Sequence, residues 1–107
     1  MSSFKDRERG EEANFAREEE MHFRIQARRN RLLGAWAAER MSLSAVEAEA
    51  YAKAVVQADF EEAGDEDVVR KLLGDLTSAG VETNEGEVRS ALEAKQIEAR
   101  RQLMGEA

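Results

Sequence analysis

Arg28-Arg29-Asn30-Arg31-Leu32-Leu33-Gly34-Ala35-Trp36-Ala37-Ala38 decides how this chain folds: a basic cluster runs directly into an apolar block that holds the only tryptophan. Upstream of it the sequence is dense in charge, and downstream it breaks into short amphipathic segments. Counting 100° per residue from Phe15, the residues Met21, Ile25, Leu32, Leu33 and Trp36 share one stripe about a third of the circumference wide. This spacing predicts a first helix running to about Arg40. Continued back to Phe4, that helix is about 55 Å long at 1.5 Å per residue, far longer than the partner helices can cover. Its N-terminal half must project.

Working outward, Ser44-Ala45-Val46-Glu47 is a capping box that opens a second helix, with Ala48, Tyr51, Val55 and Ala58 as its core stripe. Ala63-Gly64-Asp65 ends that helix and starts the next, Gly64 as the left-handed stop and Asp65 as N-cap. The third helix is short, with Val68, Val69, Leu72, Leu73 and Leu76 on one face, and Ser78-Ala79-Gly80 closes it. Asn84 and Glu87 form a second capping box, and Val88, Leu92, Ala99 and Leu103 carry the stripe of a fourth helix, interrupted by Lys95. There is no proline, and the few β-branched residues are interleaved with Ala, Glu, Arg and Leu, which favours helix throughout. Connections of a few residues argue for antiparallel neighbours. The expected fold is all-α: a four-helix bundle with a long first helix and a flexible or projecting N-terminal arm.

At 107 residues with 36% charged side chains the chain fits one compact unit. The expected division is an arm over 1–19, disordered or nascent helix when free, and a helical bundle domain over 20–107. The arm holds only Phe4 and Phe15 as large apolar residues. Alone it cannot offset the roughly 1–2 kcal/mol per residue that ordering costs, and so resembles a segment that folds on binding. Without cysteine there is neither a disulfide nor a thiolate metal site. No apolar run approaches the roughly 20 residues needed to cross a bilayer, and the N-terminus lacks a secretory h-region, so a soluble cytoplasmic protein is expected. Residues 1–31 carry eight Lys or Arg against seven Asp or Glu, whereas 32–107 carry eight against sixteen. An acidic body repels the phosphate backbone, which argues against nucleic acid as a partner.

Residue by residue, no active site emerges. The acidic run from Asp59 to Asp67 lacks the ligand order of an EF-hand and reads as helix ends and caps. His22, the sole histidine, has no Cys, Ser or second His around it and reads as a surface residue. The glycines open no strand-to-helix turn that would cradle a phosphate. Neither a metal nor a cofactor is expected, and the only candidate ligand is a weakly bound adenine nucleotide at the Arg28, Arg29, Arg31 cluster, which reads more simply as a solvated helix face. Arg29 is the exception, since it projects among Ile25, Leu33 and Trp36. A buried guanidinium needs a carboxylate, and Asp59 or Glu62 on the second helix is the expected partner. Phe23 and Ala27 lie off the stripe, so Phe23 should be exposed unless another helix wraps round. With Phe4 and Phe15 it makes the arm a set of aromatic anchors for a partner.

The segments Phe15-Ala16, Ala27 to Ala38 and Tyr51 to Asp67 closely resemble the zeta subunit of alphaproteobacterial F-type ATP synthases, and Phe4 with Asp6-Arg7-Glu8 matches that family's N-terminal motif. The resemblance implies a non-enzymatic regulatory subunit that inhibits ATP hydrolysis. The arm would enter between catalytic and non-catalytic subunits of the rotary head, against the central stalk, and block rotation in the hydrolytic direction. The protein would then sit at the cytoplasmic face of the inner membrane without inserting into it. Carried over by position, the contacts are Phe4, Asp6, Arg7, Glu8, Phe15 and Phe23, with Arg28, Asn30 and Arg31 at the rim. Arg29, Leu32, Leu33, Trp36, Tyr51, Val55 and Asp59 belong to the scaffold. The chain departs from the family at Gly10-Glu11, where an aromatic usually follows, and at Arg17-Glu18, where a histidine-aspartate pair is common. The alternative reading is a helical adaptor or nucleotide-sensing module without inhibitory activity.

Overall fold

The computed structural model describes residues 2–61 and 64–105, with side chains over 17–60 and 64–105. Four helices follow in order: α1 (Ser2–Arg40), α2 (Ala45–Glu61), α3 (Glu66–Ser78) and α4 (Glu85–Met104), with no strand among the described residues. The fold is an all-α four-helix bundle built around an unusually long first helix.

The helix ends follow from local chemistry. At the start of α2, the Ser44 amide donates to the Glu47 carboxylate at 2.9 Å and the Glu47 amide donates to Ser44 Oγ at 3.2 Å, a complete capping box. These bonds to Ser44 hold the Glu47 carboxyl below its ordinary range. At the start of α4, Asn84 Oδ1 accepts from the Glu87 amide at 2.9 Å. The Glu87 side chain pairs with Arg40 of α1 instead of closing the box. The end of α3 is a Schellman motif, with Gly80 at φ 81°, Gly80 N bonded to Thr77 O and Val81 N bonded to Leu76 O. The same pattern ends α1 without a glycine: Ser42 N reaches Glu39 O, Leu43 N reaches Ala38 O, and Ser42 takes φ 59°.

α1 lies between α2 and α4, which do not pack on each other among the described residues, and α3 touches all three. Both neighbours run antiparallel to α1. Along α2, Gly34 meets Ala52 and Asn30 meets Asp59; along α4, Arg40 pairs with Glu87 and Arg28 bonds to Gln102. Leu33, Ala37, Val55, Val68, Leu72, Leu76 and Val88 are fully enclosed, and Trp36, Tyr51, Leu73 and Val81 pack around them. Each such Leu or Val contributes roughly 1.5–3 kcal/mol of burial. Leu32, expected in this scaffold, is only half-buried, while Ala37 and Ala38 are enclosed. With helices on two sides and α3 at the end, the covered arc of α1 is wider than the one-third stripe.

The molecule measures 66 × 29 × 25 Å, and its length comes from α1. Its 39 residues extend about 58 Å, against about 25 Å for the 17 residues of α2. The bundle grips α1 from Phe23 to Arg40 and the N-terminal half projects, as the helix length requires.

Candidate functional site

The root of the projecting helix is built around Arg29, whose side chain is 2% exposed. Its Nε donates to Asn30 Oδ1 at 3.1 Å and its Nη1 reaches Gln96 Oε1 of α4 at 3.4 Å. Nη2 lies 3.0 Å from Asp65 Oδ1 in the α2–α3 turn and 3.7 Å from Asp59 Oδ2 on α2. Neither carboxylate is aligned for a proper hydrogen bond with Nη2, so these contacts are mainly Coulombic. One guanidinium thus ties α1 to α2, to the turn before α3 and to α4.

Of the two partners expected for Arg29, Asp59 is present and Glu62 lies outside the described residues. The nearer anion is Asp65, which the sequence marks as an N-cap. Asp65 makes no side-chain cap bond. The field of the enclosed cation outweighs one cap bond to a solvent-facing helix end.

Asn30, expected at the rim, is instead 1% exposed and donates to Asp59 Oδ2 at 2.9 Å. It faces α2, so it is not offered to a partner in this conformation. Arg28 bonds to Gln102 at 3.0 Å and, like Arg31, stays at the surface. Phe23 is 53% exposed and stacks on Phe60 of α2, itself 55% exposed, at 5.2 Å between centroids and 29° between planes. The side chains of Phe4, Asp6, Arg7, Glu8 and Phe15 lie outside the described residues. His22 is exposed.

Of the expected scaffold residues, Leu33 and Val55 lie in the core and Trp36 and Tyr51 pack against it. Trp36 carries Arg40 over its ring at 5.3 Å. Tyr51 Oη donates to Asp75 at 2.7 Å, and Lys71 completes the cluster at 3.1 Å from Asp75 and 5.2 Å over the Tyr51 ring. Burial first, and then the hydrogen bond and charge of Asp75, push the phenol well above its usual titration range.

Sequence reasoning missed four participants at this root: Gln96, Asp65, Phe60 and Gly34. Gln96 and Asp65 are ordinary polar residues whose role depends on where their helices cross. Gly34 carried a readable signal, a glycine at mid-helix in an otherwise strong helix former. A Cβ there would stand 2.7 Å from the Ala52 Cα, so the two backbones approach too closely for any side chain.

These features define a class: a helical interaction protein whose bundle anchors one half of a long helix and leaves the other half unaccompanied. Among the described residues no helix is long and apolar enough to cross a membrane. The profile of the family described as ATPase inhibitor subunit zeta matches residues 1–102, and the chain belongs to that family. A solved solution NMR structure is 52% identical, with a TM-score of 0.71 over 81% of this chain and 99% of that one. A search of the curated proteins found no match.

Proposed function

We propose that the chain inhibits ATP hydrolysis by a rotary F-type ATP synthase, with the N-terminal half of α1 as the inhibitory element. The arm enters between catalytic and non-catalytic subunits of the head, contacts the central stalk and blocks rotation in the hydrolytic direction. The protein works in the cytoplasm and at the cytoplasmic face of the inner membrane when bound. The observation that carries this reading is the imbalance within α1, a single helix of 39 residues of which the bundle covers only the C-terminal half.

Helix formation supplies the physical reason. An isolated segment of some twenty residues must first nucleate, at a cost expressed by a factor of about 10⁻³, before propagation repays it. An arm continuous with an anchored helix only propagates. Phe4, Phe15 and Phe23 then serve as apolar anchors, and Asp6, Arg7 and Glu8 as the charged contacts that set register. Arg28 and Arg31 stand at the rim.

The test compares ATPase activity of the cognate head with the full-length chain and with one lacking residues 1–19. Full-length protein inhibits and the truncated one does not; equal inhibition by both would defeat the arm mechanism. A nucleotide-sensing adaptor would leave turnover untouched and would depend on Arg28 and Arg31, because Arg29 is committed to Asp59 and Asp65.

A further inference from the structure

On α1, Phe23 shares a helical face with Glu19, Ala27, Asn30 and Gly34, and this is the face that α2 covers: Asn30 bonds to Asp59 and Gly34 abuts Ala52. Because α2 runs antiparallel and ends at Glu61, the Phe23–Phe60 stack is the last rung between the two helices among the described residues. Beyond it the same face continues along the arm with no α2 beside it. Both rings remain more than half exposed although they touch. Of the exposed large hydrophobics among the described side chains, Phe23, Val46, Phe60, Ile97 and Met104, these two form a stacked pair. One cleft is lined by both rings together with Ala27, Val56 and Asp59, and a second lies against Phe23 alone, with Glu18, Glu19 and His22.

We infer that Phe60, on the bundle and not on the arm, is a direct contact for the ATPase head, and that the Phe23–Phe60 pair is the seat on which the head closes over the root of the arm. This rests on the arm reading above. Its basis is continuity: a surface that covers the arm as far as residue 19 ends four residues, about 6 Å, from Phe23. Any extension of that surface along the α2-facing side of α1 meets the end of α2, where Phe60 stands. The exposed carboxylates of Glu18 and Glu19 beside Phe23 fit an occupant that brings an apolar side chain for the rings and a basic one next to it. The seat is therefore composite, formed by one residue from each of two helices, and adds Phe60 to the contacts carried by the arm.

The experiment uses the full chain in two forms. In the first, Phe60→Ala is assayed for inhibition beside the wild type and the chain lacking 1–19, with a thermal melt to show that the exposed ring is not needed for folding. The half-inhibitory concentration rises about tenfold, the scale of one lost aromatic anchor, with the melt essentially unchanged. In the second, a photoreactive phenylalanine analogue replaces Phe60 and the inhibited complex is irradiated, giving an adduct with a subunit of the head. Either wild-type potency of Phe60→Ala or the absence of an adduct to the head overturns the proposal, as does an adduct only to a second copy of the inhibitor. If Phe60→Ala inhibits normally while truncation abolishes inhibition, the arm reading stands and the seat does not. If the truncated chain inhibits fully, the arm reading itself falls.

Discussion

Arg29 holds its place through four polar neighbours, one beside it on α1 and three on other parts of the fold, so its replacement should be felt well beyond one charge. Arg29→Ala leaves Asp59 facing Asn30 without a cation and removes the packing of the aliphatic stem. A loss of about 2–4 kcal/mol in unfolding free energy is expected from denaturant titration, below the upper range for broken buried pairs because Asp65 keeps access to water. Arg29→Lys should recover little, since an ammonium cannot reach Asn30, Gln96 and Asp65 at once as the planar fork does. Tyr51 offers a pH readout at the same scale. Its folded-state pKa is raised above the ordinary 10.0, so the stability it contributes is complete below that pH and is lost as pH rises through the folded value. As the only tyrosine, it can be followed by phenolate absorbance, with a midpoint above 10 in the folded protein and a fall in thermal stability that Tyr51→Phe lacks.

Two predictions belong to the helices. Gly34→Ala removes an unfavourable helix residue, a gain of roughly 1 kcal/mol, but places a methyl 2.7 Å from the Ala52 Cα. The obstacle is backbone and cannot rotate away, so α1 and α2 must separate. A net loss of about 1–3 kcal/mol in a thermal melt is expected. At the end of α1, Ser42 holds a left-handed conformation that disfavours any side chain. Ser42→Gly should raise stability by about 0.5–1 kcal/mol, with the bonds to Glu39 and Ala38 retained. These two positions also separate what could be read in advance from what could not. The capping box at Ser44, the N-cap at Asn84 and the stop at Gly80 were legible, because each depends on residues within one turn; that Glu87 leaves the Asn84 box open for Arg40 was not. The stop at Ser42 was not, for lack of a glycine, and the role of Gly34 needs a neighbour eighteen residues away.

For the molecule as a whole, the anchored and projecting halves of α1 should be separable in energy. Removing residues 1–19 takes away none of the enclosed core found among the described side chains, so the melting temperature should change little while inhibition of the head is lost. Fluorescence of Trp36, packed against the core beneath Arg40, should report the same unfolding transition in both chains. A large drop in melting temperature on truncation would mean that the arm supports the bundle instead of extending from it.

The sequence by itself determined the all-α class, the four helices and an overlong first helix, because periodicity, caps and length are local properties. It also placed Arg29 among apolar neighbours, since a projection of one helix needs no partner. Which carboxylate meets that cation, that Asn30 turns inward, and that Phe23 finds Phe60 were decided only when three helices closed around α1. Those contacts join residues 29–37 positions apart in the chain, and distance along the chain carries no record of the angle at which helices cross.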